Sequence, residues 1–282
     1  MNVLVMGRAK TGTTIIAKTI QASLDNASFL MEPKSLNKFL EPYEEDVVAK
    51  LIFEHWSSRP YSRLAILNNE LGLVFNKRVF IVRDPRDELI SRMFYVVYGH
   101  LKEGRIKREQ LMPWLEMVKA KELKPESISV CEMLTLINQI LGVNMSLAMT
   151  DTVNYYRFLA RHGQRSFLLR YENFMANQLQ DLESYLGFSL TQERDVGKKF
   201  DRTRRSAASN NWKTFFVASD LEQFKSLHAD DMKSIGFDDW ELSPVESLNP
   251  EHGSIYLERI LDEALRRRSQ YPAPGLDADN AK

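Results

Sequence analysis

Apolar positions cluster near the N-terminus into a short strand-like run, Val3 to Met6, followed by a polar loop from Gly7 to Thr13 and then helical spacing from Thr14 to Leu24. A second short apolar stretch, Ser28 to Met31, stops at Glu32-Pro33, and the segments from Lys34 to Phe75 read as helices broken near Pro42 and Pro60. Arg78-Val79-Phe80-Ile81-Val82 is continuously apolar after its first residue, as a parallel strand covered on both faces should be, and Pro85 restarts a helix that runs through Leu101. From Lys107 to Arg161 apolar residues recur at three- and four-residue spacing, which predicts helices whose methionines fill gaps in a core. Ser166 to Arg170 predicts another strand, with a helix near Gln178 to Leu186, whereas Lys198 to Asn211 is polar, basic and aperiodic, the pattern of a long functional loop.

Strands alternating with helices predict an α/β fold: a single domain, residues 1–271, with a central parallel β-sheet flanked by helices and a largely helical substrate-side region. The Pro-Ala-Pro-Gly segment opening at Pro272 predicts a flexible tail over 272–282.

Composition narrows the chemistry. Hydrophobic residues make up 44% and charged residues 27% of 282 residues, the values of a folded globular chain. Basic and acidic side chains both number 38, so no broad positive field recruits nucleic acid and any anion site must be local. The start lacks the basic segment and apolar length of a secretory signal, and no apolar run reaches a membrane span, so a cytoplasmic protein is expected. The single Cys131 excludes an internal disulfide and, lying in an apolar helical segment, reads as a buried thiol rather than a nucleophile. A homodimer is the default assembly.

Gly7-Arg8-Ala9-Lys10-Thr11-Gly12-Thr13-Thr14 lies between a strand and a helix, where successive backbone N–H groups and the helix dipole cradle phosphate. It nearly matches G-x-x-x-x-G-K-S/T, but Thr13 stands where a nucleotide triphosphatase places its lysine, and the lysine has moved to Lys10. That weakens the case for a γ-phosphate and Mg²⁺ without removing it, and a P-loop kinase or nucleotide triphosphatase stays as the competing reading. A catalytically silent nucleotide-binding module is a second rival. Further on, Arg83 at a strand end offers a planar fork for phosphate, and Ser91, almost two turns into the following helix, adds a hydroxyl; for Asp84, Arg86 and Asp87 local ion pairing is the expected role.

These segments resemble the sulfotransferases that use 3′-phosphoadenosine 5′-phosphosulfate (PAPS). Lys10 to Thr14 match their Pro-Lys-Ser/Thr-Gly-Thr-Thr loop, with Ala9 in place of the proline and Ile15 where many cytosolic members carry an adenine-packing tryptophan. The spacing from Arg83 to Ser91 equals that of Arg-x-Pro-x-Asp-x-x-x-Ser in the family's 3′-phosphate site. Tyr171-Glu172-Asn173-Phe174 resembles the element whose tyrosine contacts the base, and Glu172 itself reads as a structural partner for backbone or basic groups. Arg205 and Trp212-Lys213 align partially with the Arg-Lys-Gly-x-x-Gly-Asp-Trp-Lys loop, Ser206 and Ala207 replacing its next two residues. The resemblance implies PAPS as donor, 3′,5′-adenosine bisphosphate (PAP) as product, no metal, and nucleotide contacts at Arg8, Lys10, Thr11, Gly12, Thr13, Thr14, Arg83, Ser91, Tyr171, Arg205, Ser206 and Ala207.

For in-line transfer Lys10 is placed to neutralise the leaving nucleotide. A general base is sought among Glu32, His55 and His100. Glu32 ranks first, because Glu32-Pro33-Lys34 looks like the Glu before Pro or Lys of carbohydrate sulfotransferases, while the Thr-His-Leu-Pro segment of phenol and steroid members is absent between Trp56 and Arg83. The expected acceptor is a hydroxyl or amine of a small molecule, lipid or carbohydrate: the Tyr-, Met- and Leu-rich stretch from His100 to His162 suits an apolar acceptor, and Glu32 a sugar.

Overall fold

The computed structural model describes residues 1–193, 202, 205–206 and 208–270. The tail predicted over 272–282, and Ala207, fall outside them. Five strands, β1 (Asn2–Gly7), β2 (Ser28–Met31), β3 (Val47–Ile52), β4 (Lys77–Val82) and β5 (Phe167–Arg170), form one sheet in the order β2-β3-β1-β4-β5. Every pairing is parallel. The chain runs outward from β1 to β2, returns through β3, then crosses to β4 on the other side of β1. That reversal opens a crevice at the carboxyl ends of the strands, where ligands of open α/β sheets bind.

The α/β fold expected from the strand and helix alternation is therefore present. One expectation is corrected: the stretch from Lys34 to Phe75 is not helical throughout. Val47 to Ile52 form a fully buried strand beside β1. Six residues with neither alternation nor helical spacing leave the two periods indistinguishable, and pairing with β1 and β2 decides between them. Pro60 does start a helix, α2 (Pro60–Leu67), its fixed φ and missing N–H costing nothing in a first turn.

Packing sorts the chain into two compact units. The first, Met1–Glu88 with Ala148–Asp201, contains the sheet with α1 (Thr13–Ala22), α2, most of α6 (Ser146–His162), α7 (Tyr171–Met175) and α8 (Gln180–Leu186). Val3, Val5, Val48, Val79, Ile81 and Leu169 alternate onto one sheet face and pack with Ile16, Ala17 and Ile20 of α1, Phe174 of α7, and Leu182 and Leu186 of α8. Each such side chain contributes about 1.5–3 kcal/mol by leaving water, before conformational costs. On the opposite side, Phe80 meets Phe158 of α6, and the buried Tyr155 hydroxyl donates to the carbonyl of Ile81 at 2.8 Å, at the end of β4.

The second unit, Leu89–Leu147 with Arg202–Lys282, has helices and no strand among its described residues. It holds most of α3 (Pro85–Lys102), then α4 (Met112–Leu123), α5 (Val130–Leu141), α9 (Trp212–Phe215), α10 (Ala218–Ser234) and α11 (Ser254–Gln270). A capping box, Ser129 with Glu132, starts α5. Cys131 sits in that first turn and is half-buried rather than enclosed, because α5 leaves this edge against Gln223 of α10, 2.9 Å from Sγ. Burial, reinforced by the nearby Asp220 carboxylate, pushes the thiol up to about 11, which removes it as a nucleophile at neutral pH.

Candidate functional site

The loop between β1 and α1 owes its shape to two left-handed residues, Lys10 at φ 71° and Gly12 at φ 86°. Lysine pays for that conformation and glycine does not, so the strain falls on the residue bearing the charge. Thr11 closes the turn by donating its hydroxyl to the Arg8 carbonyl at 2.8 Å, and Ala9 N–H reaches the Glu54 carboxylate at 3.2 Å. Gly7 is required here, since a Cβ on it would meet Thr11 Oγ1 at 2.8 Å and Thr13 Cγ2 at 2.7 Å. No side chain caps α1 after Gly12, so its first N–H groups stay available beside Lys10. Left-handed turns followed by an uncapped helix start make an anion cradle.

Of the motif residues, Arg8, Lys10, Thr11, Gly12, Thr13 and Thr14 lie in this loop and first turn, and Arg83 and Tyr171 come to them from the neighbouring strands. Arg83, 7% exposed at the end of β4, donates from Nη1 to the Lys10 carbonyl at 2.9 Å. Its guanidinium carbon sits 4.6 Å from the centre of the Tyr171 ring, which opens α7 after β5. Tyr171 in turn lies over Gly12: a Cβ there would fall 2.5 Å from Cε2 and closer still to Cδ2. Three strand ends are thus joined through one carbonyl, one guanidinium and one ring. Arg8 is placed differently, its side chain buried with Nε 2.7 Å from Glu88 Oε1, so its guanidinium braces the loop from beneath. Asp84 and Arg86 pair with each other, Nη2 to Oδ2 at 2.6 Å, as local ion pairing required.

On the other flank of the loop, Glu32 and His55 meet. Glu32 follows β2 in a left-handed conformation, φ 47°, and one carboxylate oxygen lies 3.9 Å from His55 Nδ1. Its other oxygen is bonded by the ammonium of Lys50, which also donates to Thr14 Oγ1 at 2.9 Å. Lys50 was not singled out by sequence reasoning. It stands in β3, 2% exposed, on the same face as Val48 and so toward α1. Burial lowers its pKa, and the Glu32 carboxylate opposes that shift. The signal that could have found it is a charge inside an otherwise apolar strand, since lysine is almost never buried unpaired. Glu172 accepts the Asp84 N–H at 3.0 Å, and burial raises its carboxyl to about 7.

The remaining sequence candidates lie in the helical unit. Ser91 is 3% exposed on α3, and His100 stands in the last turn of that helix, its pKa lowered mainly by burial. Arg205 donates to the His252 carbonyl at 2.8 Å and lines a cleft of about 230 Å³ with Glu122, Asn211, Phe215 and Leu248. Ser206 is half-buried beside it in the sequence. Among the described residues no group of three His, Cys, Asp or Glu side chains could hold a metal ion, and no helix is long and apolar enough to cross a membrane.

A sulfotransferase-domain family model matches residues 1–196. Among solved structures, the mouse sulfotransferase SULT7A1 complexed with PAP aligns at 13% identity over 84% of this chain and 85% of its own, with a TM-score of 0.44. No curated protein matches the sequence.

Proposed function

Because the chain belongs to the sulfotransferase family, we propose that it moves a sulfo group from PAPS to a hydroxyl or amine of a small-molecule, lipid or carbohydrate acceptor. The carrying observation is that Arg83, the Lys10 carbonyl, Gly12 and Tyr171 lock together at the carboxyl ends of β4, β1 and β5, beside a helix start at Thr13 that no side chain caps. A strained, uncapped turn with a lysine at its left-handed position fits a phosphosulfate better than a triphosphate, since Thr13 occupies the lysine position of the Mg²⁺-nucleotide loop.

PAPS supplies the activated sulfo group, displaced in line from its 5′-phosphate. In this reading Lys10 and the N–H groups of Thr13 and Thr14 neutralise the phosphate oxygen as the sulfur–oxygen bond breaks. Glu32 takes the acceptor proton as the acceptor oxygen or nitrogen bonds to sulfur, with Lys50 orienting its carboxylate and His55 3.9 Å from the same group. His55, whose side chain is 40% exposed, is the next candidate for that base. Tyr171 is assigned the base and Arg83 the 3′-phosphate; Ser91, Arg205, Ser206 and Ala207 carry nucleotide assignments from motif resemblance. One domain over residues 1–271, a cytoplasmic location and a homodimer complete the reading.

The test compares thermal unfolding with PAP and with ATP plus Mg²⁺, because a ligand of the native state stabilises it by mass action. PAP at one hundred times its Kd contributes about 2.7 kcal/mol. Stabilisation by ATP with Mg²⁺ and not by PAP would return the kinase reading. In transfer assays Lys10→Ala lowers kcat by about 10²-fold; turnover within threefold of wild type removes Lys10 from the chemistry.

A further inference from the structure

Beyond the groups assigned to ligand or acceptor, one buried carboxyl ties two nucleotide-facing turns together. We infer that Glu172 is a positioning residue for the nucleotide site, fixing the turn that carries Arg83 against the turn that carries Tyr171. The inference rests on the nucleotide reading above and adds a residue to which that reading gave no part.

Glu172 directly follows Tyr171 at the start of α7, and Asp84 directly follows Arg83 at the end of β4. Oε1 of Glu172 accepts the Asp84 N–H at 3.0 Å, 88 positions away in the chain. That N–H lies just ahead of α3, past the point where the β4 ladder can satisfy it. Asp84 is itself held: its carboxylate takes Arg86 Nε at 2.9 Å and Arg86 N–H at 2.9 Å, and its carbonyl accepts Glu88 N–H at 2.9 Å. A bond to Asp84 N–H therefore fixes a rigid turn rather than a loose one. The adjoining residues then meet as the nucleotide site requires, with the Arg83 guanidinium 4.6 Å from the Tyr171 ring centre and Nη1 on the Lys10 carbonyl.

The chemistry of the carboxyl agrees. Its other oxygen, Oε2, is buried and has no hydrogen-bond partner among the described residues. Burial, with the Asp84 carboxylate adding to it, raises the group to about 7, against the pull of Arg83 and of the backbone N–H bonds. The hydrogen bond this carboxyl makes across the strand ends is the one it accepts from the Asp84 N–H. A glutamine carbonyl can do the same; an alanine cannot.

The experiment measures PAP affinity by calorimetry and PAPS kinetics for wild type, Glu172→Ala and Glu172→Gln. We expect Glu172→Ala to raise the PAP Kd and the PAPS KM about tenfold while kcat at saturating PAPS stays within threefold, and Glu172→Gln to restore both to within threefold of wild type. Equal PAP affinity in wild type and Glu172→Ala overturns the inference and leaves the nucleotide reading standing, as does a Glu172→Gln variant as weak as the alanine. A wild type that does not bind PAP overturns both. Should Glu172→Ala fail to fold, amide exchange of the wild type decides: slow exchange at Asp84 N–H, slowed further by PAP, supports the inference, and exchange at the rate of an open loop overturns it.

Discussion

Gly12→Ala separates backbone strain from steric contact at the centre of the site. Gly12 has φ 86°, where an L-residue pays about 1–2 kcal/mol, and the added methyl would sit 2.5 Å from Cε2 of Tyr171. Real Cβ atoms do not approach a ring that closely, so the ring or the loop must move. Tyr171 is 7% exposed, packed in the core cluster with Phe174 and Leu169, and has little room to yield. Overpacking of that kind costs about 1–3 kcal/mol, giving a total of about 2–5 kcal/mol. In a Tyr171→Ala background the collision disappears and only the backbone cost of about 1–2 kcal/mol remains. Urea unfolding of the four proteins closes a double-mutant cycle whose coupling should exceed about 1 kcal/mol. PAP affinity should fall in Gly12→Ala, because displacing the ring also displaces Arg83 from it. Additive effects, within about 0.5 kcal/mol, would mean that Tyr171 does not lie over the loop, and the geometry that carries the functional reading would be wrong.

The remaining predictions bear on charge. Lys50→Met should lower kcat by about 10²-fold, since it strips Glu32 of its orienting cation; unchanged kcat in the transfer assay would dismiss that role. Asp220→Ala should cost about 3 kcal/mol or more in urea unfolding, because one 3% exposed carboxylate accepts the N–H groups of Val130, Cys131 and Val217 at 2.9, 3.1 and 3.1 Å; a loss below about 1 kcal/mol would show those bonds to be replaceable by water. Glu172 titrates from an ordinary 4.5 when unfolded to about 7 when folded, so the folded state holds the proton longer. Its contribution is fully present below pH 4.5 and is lost as pH rises to about 7, a decline of about 3 kcal/mol at most. The stability difference between wild type and Glu172→Gln should therefore move against wild type between pH 5 and pH 8; a constant difference would place the carboxyl near its ordinary range.

What could be read from the chain follows from how local each interaction is. The shape of the loop after β1 was legible because its parts are contiguous: a strand end, a lysine, a glycine and a helix start fall within Gly7 to Thr14 and fold against their own backbone. β1, β4 and β5 were legible because each is a short apolar run closed by a recognisable turn. β3 was not. Its run, Val-Val-Ala-Lys-Leu-Ile, is broken by Lys50, and a charge at a core position argues locally against a buried strand.

The partners that make Lys50 tolerable are 18 and 36 positions away, and sheet register alone delivers them. Lys50 is level with Val5 on β1 and with Met31 on β2, so the residue after Met31 is Glu32 and the loop after β1 leads into Thr14. The same holds for Glu172 and Asp84, which meet because Val82 pairs with Arg170 at the strand ends. In a parallel sheet every carboxyl end faces one way, so polar residues just past equal register positions converge although nothing in the sequence links them. A lysine that breaks an apolar run is then evidence for a site rather than against a strand: a buried ammonium without partners would cost several kcal/mol, and a chain that keeps one has placed an acid and a hydroxyl beside it.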